Sequence, residues 1–303
     1  MRQEEISLLA SRDKEMYDEV AKQNLHFPRL IAPILQAVVP EYRVCSCEDI
    51  VGYILKETIC DGPVDDVSVM TEMNTEMSSI SEKLIRYDSR FKAINPRLST
   101  EEISIYLHID LEVQNRYEPN KLKYPIVKRG IYYGAREISS QLGILTNVTN
   151  YNNLEKVYSI WICNDVTDES LQNTVTSYTI TKTDEIGITD EVDSDYDLMT
   201  VIIIRRGKNN SDAEIFDYLT KLFSGDIEGI CKYVNIKEDK EIMEGVEKMS
   251  GLGQAIYEDG MQAGMQDTLV ELVKDGLLKI AEAAARAGIT EAEFSKLLEE
   301  KKK

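Results

Sequence analysis

Asp88, Asp110, Glu112 and Gln114 are the residues of this 303-residue chain whose types and spacing could do chemistry. Side chains two apart on a strand share a face, so Asp110, Glu112 and Gln114 point together if this stretch is extended. Asp88, on a neighbouring strand, can approach Glu112 from the side. Two carboxylates held several ångströms apart repel, and their surplus of anionic oxygen is stable only with a cation between them. Oxygen ligands of this kind suit Mg²⁺ or Mn²⁺ rather than zinc. Such an ion can neutralise a phosphodiester and generate hydroxide from bound water. The same acids could instead form salt bridges with Arg86, Arg90 or Arg116 on half-exposed strands. His108 shares the Glu112 face and reads as solvent-exposed or hydrogen-bonded, and His26 reads as structural.

The charge distribution sharpens this choice. The chain carries 35 Lys plus Arg against 54 Asp plus Glu, a net charge of −19, which argues against coating nucleic acid or anionic lipid through bulk charge. Residues 83–136, however, hold 11 bases and 6 acids. That +5 window, which contains the candidate acids, is set within −24 for the rest of the chain. It predicts local, salt-sensitive binding of an anion rather than a general coat.

The elements that must position these residues follow from periodicity. Residues 1–60 read as helical, with Phe27, Leu30, Ile31, Ile34, Leu35 and Val38 at helical spacing and Pro40 ending the run. Residues 61–80 read as a loop. Leu84–Ala93 and Ile103–Gln114 read as two strands of a hairpin, the second with apolar side chains at odd positions and polar ones facing the other way. An amphipathic helix is predicted from Pro125 to about Leu142, with Gly143 just past its end. Val157–Cys163 is almost wholly apolar, as a central strand covered on both faces should be. The order strand, strand, helix, buried strand predicts a mixed sheet. An acidic insertion follows at about 165–197, with one strand at Thr174–Thr183. Leu198–Arg206 reads as another buried strand, and Glu214–Phe223 as a short helix. Beyond it helix formers dominate, ending in a two-helix unit around Gly288. That unit has a helix-turn-helix look, but its acidic second helix favours packing or self-association over DNA reading.

The segments EKLIRYDSRFKAI, EISIYLHIDLEVQ, YPIVKRGIYYGAREISSQ and VYSIWIC together resemble the PD-(D/E)xK nuclease superfamily. More narrowly, they are similar to its recombination-promoting nuclease (Rpn-like), transposase-related branch. The pattern is an Asp on one strand, Glu-x-Gln at the end of the next, a helix with an Arg and paired Tyr, then an apolar strand. Asp88, Glu112, Gln114, Arg129, Tyr132 and Tyr133 fall at those places, and the resemblance spans roughly residues 25–250. It implies a restriction-endonuclease-like α/β core acting as a Mg²⁺-dependent (or Mn²⁺-dependent) DNA endonuclease. Asp88, Glu112 and the Val113 carbonyl would hold the metal, and Gln114, at the superfamily's usual Lys position, would orient water or phosphate. Arg129, Arg136, Lys128 and Arg116 would contact DNA. Gln carries no charge, so a catalytically impaired nuclease fold acting as an interaction or regulatory module is the alternative.

The expected organisation is a nuclease-like domain over 1–250 and a helical tail over 251–303, through which the chain could form a homodimer. No stretch is apolar enough to span a membrane. The N-terminus lacks the apolar core of a signal peptide. Five cysteines without paired CxxC spacing read as reduced, mostly buried thiols of a cytoplasmic protein.

Overall fold

The computed structural model describes residues 3–63, 86–114, 117, 122, 124–141, 150–207 and 211–300. Arg116, Leu84, Ile85, Leu142, Gly143 and most of the loop expected over 61–80 lie outside them. The chain forms two compact units, Asp18–Glu247 and Met1–Tyr17 with Lys248–Lys303.

The first unit is an α/β structure built on a six-stranded mixed sheet. Its strands are β1 (Cys60–Pro63), β2 (Arg86–Ile94), β3 (Tyr106–Gln114), β4 (Val157–Cys163), β5 (Thr174–Thr179) and β6 (Met199–Arg205). They lie in the order β1-β2-β3-β4-β6-β5. The first three form an antiparallel meander; β4 runs parallel to β3 and β6 parallel to β4, while β5 closes the edge antiparallel to β6. Every residue of β4 is buried, which is why its sequence is a continuous apolar run instead of an alternating one.

Three helices precede the meander: α1 (Gln3–Asn24), α2 (Pro28–Val38) and α3 (Cys47–Tyr53). Pro28 opens α2, where a missing N–H costs nothing. Ser46 and Asp49 cap α3 reciprocally, each side chain accepting the other's backbone N–H. Helix α4 (Ile126–Gln141) makes the crossover from β3 to β4 and covers one face of the sheet. There Ile126 and Tyr133 pack with Trp161, Val201 and Ile203. Two glycines allow this close approach. A Cβ at Gly130 would lie 2.5 Å from Val201 Cγ1, and one at Gly134 would lie 2.9 Å from Met199 Sδ. On the other face, Ser89 donates to the Leu25 carbonyl at 2.9 Å. Tyr218, on α5 (Glu214–Ser224), donates to the Leu30 carbonyl of α2 at 2.6 Å.

The C-terminal helices are α6 (Lys240–Lys274), α7 (Ile280–Ala287) and α8 (Glu291–Glu300). Leu269, Val270, Ala283, Ala284, Ala287, Phe294, Leu297 and Leu298 form their own apolar cluster. Gly288 ends α7 with φ 69°, and Thr290 and Glu293 make the capping box that starts α8.

The structure departs from the periodic reading in four places. Strand β3 begins at Tyr106, not Ile103, because residues 99–105 close a turn in which Ser99 and Thr100 bond Ile105 and Ile103. The polar face of β3 is not half-exposed: His108, Asp110 and Glu112 are all buried, since α4 lies over them. The strand predicted over Thr174–Thr183 stops at Thr179, and it is the sheet's edge strand. Of the cysteines, all free thiols, only Cys163 is buried, while Cys60 is exposed and the rest are half-buried. Among the described residues no helix is long and apolar enough to cross a membrane.

Candidate active site

The paired register of β2 and β3 runs from Ile94↔Tyr106 to Ser89↔Leu111. At its end two carboxylates join the strands. The Asp88 amide donates to Glu112 Oε1 at 2.9 Å, and the Val113 amide donates to Asp88 Oδ2 at 2.9 Å. Each acid thus satisfies a backbone donor at the other's strand. His26 Nε2 lies 3.0 Å from the Asp88 carbonyl oxygen. The expected partners Asp88 and Glu112 are therefore brought together, both buried.

Asp110 joins them from the same face. Its Oδ2 accepts from Ser159 Oγ at 2.6 Å, which in turn accepts from Trp161 Nε1 at 2.9 Å. Its Oδ1 is buried and finds no hydrogen-bond partner among the described residues. Burial raises the pKa of Asp110, and the charges of Glu137 and Asp88 add to it. Glu112 is raised for the same reason, burial first and then the charges of Asp110 and Asp88. Two such carboxylates in contact hold one proton between them more readily than two negative charges.

Two cations answer this surplus. Arg129, half-buried on α4, lies over the Tyr133 and Trp161 rings, 5.1 and 5.0 Å from their centroids, and donates to the Tyr133 hydroxyl at 2.8 Å. Its charge favours ionised Glu112. Lys22, on α1, places its ammonium 2.7 Å from Asp88 Oδ1. No pattern around residue 22 marks it; only the fold carries α1 to the end of β2. Asp18, one turn earlier, lies within electrostatic reach of Lys22.

The remaining expected residues are placed less centrally. Gln114 Nε2 donates to its neighbour's Val113 carbonyl at 3.1 Å, so both are engaged with each other. Lys128 is exposed and Arg136 half-buried on α4. The tyrosine pair divides: Tyr133 is core, and Tyr132 is 51% exposed. His108 is buried between two acids, with Nδ1 2.9 Å from Glu137 Oε1 and Nε2 3.0 Å from Glu155 Oε2. Glu137 also takes Arg90 at 3.1 Å. Of the three bases offered as salt-bridge partners for Asp88 and Glu112, Arg90 thus pairs with Glu137, and Arg116 and the Arg86 side chain lie outside the described residues.

Among the described residues no group of three or more His, Cys, Asp or Glu side chains is set to hold a metal ion. The donor chemistry nonetheless fits a hard divalent cation. Asp88, Glu112 and the Val113 carbonyl are all oxygen donors, and Mg²⁺ is commonly held by one or two carboxylates with water and substrate phosphate completing its shell. Asp110 Oδ1, without a hydrogen-bond partner among the described residues, and the raised pKa of Glu112 mark a place where negative charge is disfavoured unless a cation is near. Compared with known proteins, the chain matches no family model, no curated protein and no solved structure.

Proposed function

We propose that the chain is a Mg²⁺-dependent DNA endonuclease that hydrolyses phosphodiesters, on a restriction-endonuclease-like core of the PD-(D/E)xK superfamily and its Rpn-like branch. The observation that carries this reading is the reciprocal contact of Asp88 and Glu112 at the end of β2 and β3. It is supported by an antiparallel meander followed by a helix and a parallel, wholly buried strand.

In this mechanism Asp88 and Glu112, with the Val113 carbonyl, would hold the ion. When bound, Mg²⁺ would neutralise charge at the phosphodiester and lower the pKa of water so that hydroxide is available to attack it. The protein's own groups do the rest. Arg129, whose charge acts on Glu112, lies over two rings, where a guanidinium can hold a phosphate bidentately. Gln114 positions water or phosphate once it leaves the Val113 carbonyl. Lys128 and Arg136, on the same helix, contact the backbone. Burial of Asp110 and Ser159 behind the acids keeps bulk water from that side. The partner is DNA, the compartment cytoplasmic, and the C-terminal helices the route to a homodimer.

Plasmid nicking in Mg²⁺ tests this directly. The wild type is expected to nick and Asp88→Ala to lose the activity. Equal cleavage by both would remove the site assignment. A second reading, an interaction module on an impaired nuclease fold, is favoured by the Gln114 amide being spent on Val113 rather than turned into the site. Absence of nicking by either protein, with no Glu112-dependent heat of Mg²⁺ or Mn²⁺ binding, would select it.

A further inference from the structure

The carboxylate site already holds a cation of its own. Asp88 Oδ2 is occupied by the Val113 amide, which leaves Oδ1 for a positive partner, and the Lys22 ammonium takes it at 2.7 Å. The two side chains differ in burial: Asp88 is 10% exposed and Lys22 46%. One end of the pair is fixed by the strands, and the other is a flexible four-carbon stem with solvent beside it. Behind this pair, Asp110 Oδ1 is buried with no hydrogen-bond partner among the described residues, and the Asp110 charge bears on Glu112. Lys22 shares these acids with Arg129, and a divalent ion at the Asp88 and Glu112 oxygens brings one positive charge more than the ammonium it replaces. Ammonium and a divalent ion cannot both sit on Asp88 Oδ1, because like charges that close repel strongly in a half-buried site.

We propose that Lys22 is an exchangeable counter-ion of this site: it pairs with Asp88 in the ion-free protein and is displaced to solvent when a divalent cation binds. The inference rests on the metal-binding reading of Asp88 and Glu112. It adds a mechanism of regulation to it, since the lysine sets how much free cation is needed to load the site, and releases a positive charge at its mouth when loading occurs.

The test is a calorimetric titration of the full chain with Mn²⁺, with Lys22→Met and Asp88→Asn in parallel. Removing the competitor should tighten Mn²⁺ binding by about tenfold, within the usual range of coupling between two mutually exclusive ligands. Asp88→Asn should abolish the binding heat. If the wild type binds Mn²⁺ and Lys22→Met binds it equally or more weakly, the exchange is wrong and the metal site stands. If neither binds, the exchange and the metal site fall together. A measurement on the wild type alone guards against a misfolded variant. Reductive methylation of Lys22, followed by peptide mass spectrometry, should quicken when Mn²⁺ is added, and an unchanged rate overturns the proposal.

Discussion

Asp88 and Glu112 meet through their backbones as much as their side chains: the Asp88 amide is bonded to the Glu112 carboxylate, and the Asp88 carboxylate to the amide that follows Glu112. The strand ladder ends here, and the two acids replace it. The contact joins two backbone amides and two carboxylates, one of each from either strand. Carboxylates tied to backbone amides in this way are preorganised, a property that suits a small, geometrically demanding cation.

That arrangement predicts an unusual response to Glu112→Gln. The raised pKa of Glu112 reports that burial and the neighbouring Asp110 and Asp88 charges disfavour its ionised form. The neutral amide keeps an oxygen for the Asp88 N–H and offers a donor to Asp110. Unfolding in urea without divalent ions should therefore show the variant at least as stable as the wild type, by up to about 1–2 kcal/mol. A loss of more than 1 kcal/mol, taken as about the net worth of one hydrogen bond, would mean that the carboxylate is compensated in the folded chain.

The His108 network predicts a pH dependence of its own. Burial works against a charged His108, but its hydrogen bonds to Glu137 and Glu155 outweigh that and lift its pKa above the ordinary 6.5, with Lys92 opposing. A pKa raised on folding gives stability that is complete below pH 6.5 and lost as pH rises through the folded value. Glu137 and Glu155 are lowered, against burial, chiefly by the same ring, so their share is complete above pH 4.5 and lost as pH falls through their folded values. The network thus stabilises most between those limits. From pH 6.5 upward, wild-type urea midpoints should fall more steeply than those of His108→Gln, the difference reaching about 1–3 kcal/mol, the worth of hydrogen bonds to charged groups. Parallel pH profiles would refute it.

These two networks mark what periodicity could and could not reveal. Strand β4 and helix α4 are legible because each satisfies its own local rule: a continuous apolar run for a strand covered on both faces, and a 3.6-residue stripe for a helix covered on one. Alternation along β3 is legible too, and it brings Asp88 near Glu112, where each carboxylate bonds a backbone amide of the other strand. The same alternation misled about exposure, because a polar stripe on a strand normally meets water. Here α4 meets it with Glu137 and Arg129, so the polar residues are buried and paired with one another. Lys22 had no local signal at all. Its role depends on where α1 ends relative to β2, which is a property of the packed fold.

The contact of α4 with the sheet predicts opposite outcomes for two glycines. A Cβ at Gly130 would fall 2.5 Å from Val201 Cγ1 and 3.0 Å from Trp161 Nε1, so Gly130→Ala must push the helix away from the sheet. Overpacking of this kind costs about 1–3 kcal/mol. Nothing lies within 4 Å of a Cβ at Gly52 in α3, so Gly52→Ala should gain about 0.5–1 kcal/mol from helix propensity. Guanidinium unfolding of both variants checks the pair, and a Gly130→Ala protein as stable as the wild type would show that α4 can shift freely.

Arg129 predicts a coupling that only a double-mutant cycle can read. Its guanidinium lies over Tyr133 and Trp161 and also favours ionised Glu112, so truncation removes both a stack and a counter-charge. Arg129→Lys keeps the charge without the planar fork and should cost about 0.5–2 kcal/mol, with Arg129→Ala costing more. When Glu112 has already been made neutral, the counter-charge has nothing to compensate, and only the loss of stacking remains. Arg129→Ala should then destabilise the Glu112→Gln background less than the wild type, by a coupling of about 1 kcal/mol. Equal losses in the two backgrounds would assign Arg129 wholly to packing and leave Lys22 as the cation that answers the acids.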